Sequence, residues 1–381
     1  MPRDINKRLT QLRSRRIGTD RLQRLSLDSQ IDLLAKSLHL QENWQKRAQT
    51  PYTRYALGAM QEVGPDYTRV SRESAERVGK QLNTGLTAAG FNVDFRLQGS
   101  VPLNTHIRGA SDVDLLSLDI GFFTYHIAGS RSLAGLYTNP TTRTPVGVLT
   151  ALRQQAEKIL KGAYPAATVD TSGGKAINIS GGSLARAVDV VPSHWIDTVA
   201  YQASLNEHER GVNILNIDIP ETVENRPFLH IKRINDRDWA SLGGLKKAIR
   251  LCKNVKSDAE DEGTKIALSS FDIAAIMYHA DLHALSSGAT YELAILAETQ
   301  RYLDWLYHNK TEAEKLVVPD GSRMILDSAH KLAGLRTLSV EMDDLLREVA
   351  KEQNYILNFV AEPGLVQSRD AIARALIPAV Q

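Results

Sequence analysis

Residues 97–120 read LQGSVPLNTHIRGASDVDLLSLDI. A Gly-Ser turn, Gly99-Ser100, closes an apolar run, and Asp112 and Asp114 follow with one valine between them. In a strand, residues i and i+2 face the same side. Both carboxylates therefore project together, leaving Val113, Leu115 and Leu116 for burial. Two like charges this close repel, and a cation relieves them. Hard oxygen ligands on a short rigid strand suit Mg2+ or Mn2+. The Gly-Ser turn offers backbone N–H groups and a hydroxyl to a phosphate. The stretch points to metal-assisted nucleotidyl transfer.

Two carboxylates make half of such a site, because two-metal phosphoryl transfer needs a third acid beside the attacking hydroxyl. ARAVDVVPSHW supplies Asp189, set among Val188, Val190 and Val191. A charge amid valines is costly to bury unless it is paired or metal-bound, so a structural salt bridge is the competing reading. Asp170 and Asp197 are rival acids. The first precedes the turn Thr171-Ser172-Gly173-Gly174 and the second follows Trp195 as an ordinary surface acid.

The surrounding chain sets limits on function. Its 381 residues accommodate two domains or one bilobal unit. The 43% hydrophobic and 24% charged content is that of a globular protein. A net charge of +2 does not announce a nucleic-acid binder. A single cysteine, Cys252, excludes an internal disulfide and a cysteine-cluster zinc site and fits a reducing cytoplasm. No apolar run approaches the length of a membrane span, so no membrane association is expected. There is no GxxxxGK[ST], and His279 and His283 lack the glutamate of a zinc-protease motif.

Periodicity divides the chain into three. Residues 1–25 are basic (Arg3, Lys7, Arg8, Arg13, Arg15, Arg16, Arg21, Arg24) and read as a solvated arm or helix face, or more sharply as a polyphosphate or nucleic-acid contact. From about 27 to 89 the pattern is helical, with Ile31, Leu34 and Leu38 in one stripe, a break at Gly64-Pro65 and a long helix over 67–88 capped by Gly90. Strands are expected at 92–98, 112–120, 166–170, 175–180, 184–191 and 212–218, with a helix at 146–161. Helices return at 228–239, 243–256, 269–286, 290–309 and 337–359. Lys256–Gly263, KSDAEDEG, reads as a solvated charged loop. On the 243–256 helix, Lys246, Arg250 and Lys253 form a stripe beside Lys247 and Lys256. Ser269 can cap the next helix.

The pattern GS…DVD…D resembles the nucleotidyltransferase superfamily with the polymerase-beta-like core. QGSVPLNTHIRGASDVDLL, RAVDVVPSHW, SLGGLKKAIRLCKNVKSD, LSSFDIAAIMYH and VPDGSRMI, spanning about 98 to 324, resemble more closely the cGAS/DncV-like nucleotidyltransferases (CD-NTases) of bacterial CBASS anti-phage defence. That resemblance implies an α+β, bilobal fold: a mixed-sheet catalytic lobe with N-terminal helices over 1–225, and a helical lobe over 226–381 that completes the nucleotide cleft. It implies that Asp112, Asp114 and Asp189 bind two Mg2+ ions, with Mn2+ as a substitute. Gly99 and Ser100 would hold the triphosphate, with Gln98 beside them in the nucleotide-binding set. Lys253 and Ser270 would meet phosphate and Phe271 would stack on the base. Phe stands where the family more often has Tyr, and a core role for Phe271 competes. The product implied is a cyclic oligonucleotide, foremost a cyclic dinucleotide, made from NTPs in anti-phage signalling beside CBASS effector and regulatory proteins. The cysteine-histidine insertion of the animal DNA sensors is missing, which argues against nucleic-acid activation. Two other readings stay open. One is an RNA-tailing or protein-nucleotidylating transferase with the same chemistry, and the other is a catalytically dead nucleotide- or RNA-binding scaffold.

Overall fold

The computed structural model describes residues 4–39 and 41–378. Four helices come first: α1 (Ile5–Ile17), α2 (Leu27–His39), α3 (Pro51–Met60) and α4 (Pro65–Ala88). Gly90 follows α4 at φ +84° and ends it as a C-terminal glycine should. Strands β1 (Val93–Gln98) and β2 (Val113–Tyr125) come next, then α5 (Ser130–Leu133) and α6 (Pro145–Ala163). Strands β3 (Ala167–Asp170), β4 (Ile177–Gly181) and β5 (Val188–Asp197) precede α7 (Val199–Ser204), and β6 (Gly211–Asn216) and β7 (Glu221–Asn225) complete the sheet. The remainder is helical: α8 (Pro227–Ala240), α9 (Gly244–Asp261), α10 (Ser270–Tyr278), α11 (Leu282–Ser286), α12 (Ala294–His308), α13 (Lys310–Glu314), α14 (Ala329–Gln353) and α15 (Leu365–Ile372). The α+β expectation holds, with a mixed sheet followed by a helical lobe.

The sheet runs β1-β2-β5-β4-β3, with β6 added to β5 and β7 to β6. All pairs are antiparallel except β2 with β5. Strand β5 pairs β4 through Val188–Val190 and β6 through Ser193–Ile196. Pro192 falls in the gap between those two registers, where a missing donor costs least. One face of the sheet packs Val113, Leu115, Val188 and Val190 against Val78 and Leu82 of α4 and Leu149 and Leu152 of α6. The other face carries Leu116, Leu118, Val191 and Trp195. Side-chain alternation thus gives β2 and β5 two buried faces, which explains their unbroken apolar runs.

The third core lies in the helical lobe and takes in α1 and α3 through Ile5, Leu12, Tyr55, Leu57 and Met60. This corrects the reading of the basic N-terminal run as a solvated arm. Arg8, Arg15 and Arg16 are buried. Arg15 pairs with Asp258 at 2.7 Å, and Arg8 bridges Glu262 and Glu341. Arg16 grips Glu42 and the carbonyls of Gln61 and Glu62. Each guanidinium enters the interior because a carboxylate meets it there. The same contacts correct the KSDAEDEG reading: α9 continues to Asp261, and Asp258 is fully buried against Arg15 and Tyr55.

Smaller corrections follow from packing. The expected 269–286 helix is two, broken at His279–Asp281, where Asp281 caps α11. The last long helix is shifted toward the N-terminus, to 329–353. Among the described side chains of α2, Leu33 turns inward, while Ile31 and Leu34 are largely exposed. Arg3 and the side chains of Arg24 and Leu38 lie outside the described residues. No helix among the described residues is long and apolar enough to cross a membrane.

Candidate active site

The β2–β5 register decides which acid joins the pair. Asp114 lies opposite Asp189 on the parallel neighbour, and opposite Gln98 on β1. Asp189 also lies opposite Asn178, whose amide donates to its Oδ1 at 2.7 Å. The rival acids are engaged elsewhere. Asp170 is exposed and accepts from the Ser172 N–H. Asp197 is buried with Arg210 and the Tyr137 hydroxyl, each at 2.8 Å.

Asp114 carries the electrostatic signature of the site. Burial, then Asp189, then Asp112, push its carboxyl up to about 7. A carboxylate raised by two neighbouring carboxylates is what a divalent cation would relieve, and the donor set is all hard oxygen. Among the described residues no three His, Cys, Asp or Glu side chains are already drawn into a cation cage. Asp112 instead pairs with Arg21, Oδ2 to Nη1 at 3.1 Å. The donors fit a divalent ion in chemistry and in strand position, and their closure around it requires Asp112 to change partner.

Gly99 sits between β1 and the loop that follows, at φ +79°. A Cβ there would clash with Asp114 Oδ2. Glycine is required on both counts: the left-handed backbone, and the approach of the turn to the carboxylate. The Ser100 carbonyl accepts from Thr105 N at 3.0 Å, which folds 100–105 into a tight loop with Asn104 at φ 54°. Helix α9 holds that loop from the other lobe. Arg250 donates to the Asn104 carbonyl at 2.7 Å and Lys253 to the Thr105 carbonyl at 2.6 Å. Burial and the neighbouring Arg108 and Arg250 bring the Lys253 ammonium down to about 7. His106 is buried beneath the loop, within hydrogen-bond reach of Thr68 Oγ1 at 3.1 Å, and burial lowers it to about 4.

A polar cavity of about 370 Å3 opens here, gathering Ser100 and Asp112 from the β1–β2 connection, Lys253 from α9 and Ser270 from α10. Gln98, Gly99, Asp114, Asp189 and Phe271 do not line it. Register places Gln98 and Asp189 opposite Asp114, and Gly99 closes against the Asp114 carboxylate. Ser270 is the first residue of α10, and Ser269 before it is the cap, exchanging hydrogen bonds with Asp272. Phe271 is partly exposed and stacks on His230 at 4.5 Å, with Arg323 at 5.3 Å from its ring. It is therefore a surface ring with one neighbour already stacked, rather than a core residue. Of the α9 stripe, Lys246 pairs with Asp238 and Arg250 is buried in the loop contact, so Lys253 alone reaches the cavity beside Lys256.

Sequence reading assigned no role to Arg108, His106 or Glu260, all of which line the cavity. Arg108 and His106 lie inside the quoted stretch. Their signal was a basic pair between a phosphate turn and two acids.

Comparison with known proteins places the chain among relatives. The family model of the cGAS/DncV-like nucleotidyltransferase C-terminal helical domain matches residues 232–346. The chain is 42% identical over 359 residues to the cyclic dinucleotide synthase CdnE of Yersinia aleksiciae, covering 91% of this chain and 93% of that protein. It is 31% identical over 321 residues to a c-di-GMP synthase of a Lachnospiraceae bacterium, covering 78% of this chain and 88% of that one. The solved structure of a STING-associated CdnE c-di-GMP synthase from Flavobacteriaceae sp. superposes with a TM-score of 0.71 at 25% identity, covering 91% of this chain and 98% of that chain.

Proposed function

The chain belongs to the cGAS/DncV-like nucleotidyltransferases, and on that premise we propose that it joins two NTPs into a cyclic dinucleotide with release of two pyrophosphates. The observation that carries the reading is the β2–β5 register, which sets Asp189 beside Asp114 and, with burial and Asp112, lifts the Asp114 carboxyl to about 7. Asp112, Asp114 and Asp189 would hold divalent ions of the Mg2+ type. Such ions supply positive charge at the reacting phosphate and lower the pKa of an acceptor hydroxyl.

The rest is positioning by the chain's own groups. The Gly99-Ser100 turn offers N–H and hydroxyl donors to the phosphates, and the Ser270 end of α10 adds the positive end of a helix. Lys253 ties the α9 lobe to the same loop, so it can report phosphate binding across the cleft. Phe271 offers an aromatic face edge to a base. A ribose hydroxyl then attacks the α-phosphate. The new P–O bond forms as the bond to pyrophosphate breaks, and the hydroxyl proton passes to solvent. A second, intramolecular round closes the ring on the linear dinucleotide.

The test is incubation with α-labelled NTPs and Mg2+, phosphatase treatment, and mass spectrometry. A phosphatase-resistant product with the mass of two nucleoside monophosphates less two waters is expected, and Asp112→Asn with Asp114→Asn should abolish it. Linear products alone, or label on RNA or protein, would sink the cyclase reading in favour of a tailing or protein-modifying transferase.

A further inference from the structure

Arg21 belongs to the basic N-terminal run and has no part in the mechanism proposed above. It lies in a 3-10 turn, Thr19–Arg24, whose helical dihedrals break at Arg21 itself (φ −132°, ψ 29°). The backbone around it is anchored. Gly109 N donates to the Arg15 carbonyl at 2.9 Å, and Arg108 pairs with Asp20 at 2.7 Å. Gly109 has no room for a side chain against the carbonyl of Arg16. The end of α1 is thus locked onto the loop that leads into Asp112. The Arg21 side chain, 31% exposed, reaches the same cavity as Ser100, Lys253 and Ser270.

The cations of that cavity differ in what holds them. Arg108 is taken by Asp20 and Ser257, Lys256 by Glu260, and Lys253 by the Thr105 carbonyl. Arg21 pairs with Asp112, the one carboxylate in this cavity that the nucleotidyl-transfer reading gives to a divalent ion. A guanidinium and a divalent cation compete for one carboxylate. When the divalent ion wins, Arg21 faces positive charge and needs a new anion within reach of its side chain.

We propose that Arg21 is a ligand of the NTP polyphosphate tail, and that its ion pair with Asp112 is its resting position before cation and nucleotide arrive. This rests on the reading of the cavity as the nucleotide site. Arg21 then couples the two binding events. The divalent ion releases it from Asp112, and the tail captures it, so each favours the other. A guanidinium suits the tail because it can give two parallel charge-assisted hydrogen bonds to phosphate oxygens.

Opposite-signed effects make the test decisive. The full chain, as wild type, Arg21→Gln and Arg21→Lys, is titrated with an α,β-methylene NTP analogue in Mg2+ by calorimetry, and separately with Mn2+ alone by electron paramagnetic resonance. For Arg21→Gln, analogue affinity should fall about tenfold or more, while Mn2+ alone binds several-fold more tightly because its internal competitor is gone. Arg21→Lys should recover part of the analogue affinity. Analogue binding within twofold of wild type would overturn the proposal. So would a joint fall of both affinities with the melting temperature, the mark of a merely structural residue. A wild-type protein that binds Mn2+ but no analogue would overturn the nucleotide-site reading itself, and the proposal with it.

Discussion

Neutralising Asp114 should make the metal-free protein more stable. The carboxyl rises from 3.8 to about 7 on folding, through burial first and then Asp189 and Asp112. A group raised in this way contributes its stability fully below about pH 4, and that contribution is lost as pH rises through about 7. At pH 8 the native state therefore holds an ionised carboxylate that the unfolded chain holds more comfortably. A rise of that size corresponds to roughly 4 kcal/mol, a ceiling because local relaxation and mobile counter-ions soften it to about 2 kcal/mol. Asp114→Asn keeps the shape and removes the charge. In EDTA at pH 8 its melting temperature should rise by roughly 2–3 °C. The gain should shrink as pH falls below about 7, to roughly 40% of its pH 8 value by pH 5, and vanish only below about pH 4, where Asp114 of the unfolded chain is protonated as well. Mg2+ should then raise the wild-type melting temperature more than the variant's. The measurement is a thermal melt over pH 5 to 8 with and without Mg2+. A variant that melts at or below wild type at pH 8, or a difference flat across pH, would refute the account of three mutually repelling carboxylates.

Other outcomes follow from the same geometry. Gly99→Ala combines a left-handed backbone costing about 1 kcal/mol with a clash against Asp114, so turnover should drop at least about tenfold while the melting temperature shifts by only a few degrees; unchanged kcat would contradict the close approach. Arg15→Ala strands Asp258 and Tyr55 in the interior and should cost about 3–5 kcal/mol in urea unfolding; a loss under about 1 kcal/mol would mean α1 is not docked as described. Phe271→Ala should weaken NTP-analogue binding about tenfold, as expected for a lost stacking face, with pyrophosphate binding unaffected; equal loss for both would indicate a structural role shared with His230.

The acids were legible because their chemistry conflicts with their surroundings. Asp114 and Asp189 are charges set in valine- and leucine-rich strands, with Asp112 immediately before the first of them, and such charges need a physical reason to be there. The Gly-Ser turn was legible because glycine takes a left-handed φ such as that of Gly99 without the penalty of a Cβ. The helical lobe was legible in apolar periodicity, although α10 and α11 could not be told apart when one apolar pattern crosses both. The basic run was misread because a sequence shows a charge and not its partner. Arg15 finds Asp258, and Arg8 finds Glu262 and Glu341, across more than 240 residues of chain.

Local sequence nominated the acids: the one-residue spacing of Asp112 and Asp114 suggested a pair, and a lone acid in an apolar run suggested Asp189. Tertiary structure decided the rest. Register, a long-range property of two strands separated by two helices and two further strands, set Asp189 rather than Asp170 or Asp197 beside Asp114. Packing turned an apparently free basic segment into a buried clamp and brought Arg21 to Asp112. Periodicity is written in neighbouring residues, whereas an ion pair depends on where two distant segments meet, and only the folded chain brings those together.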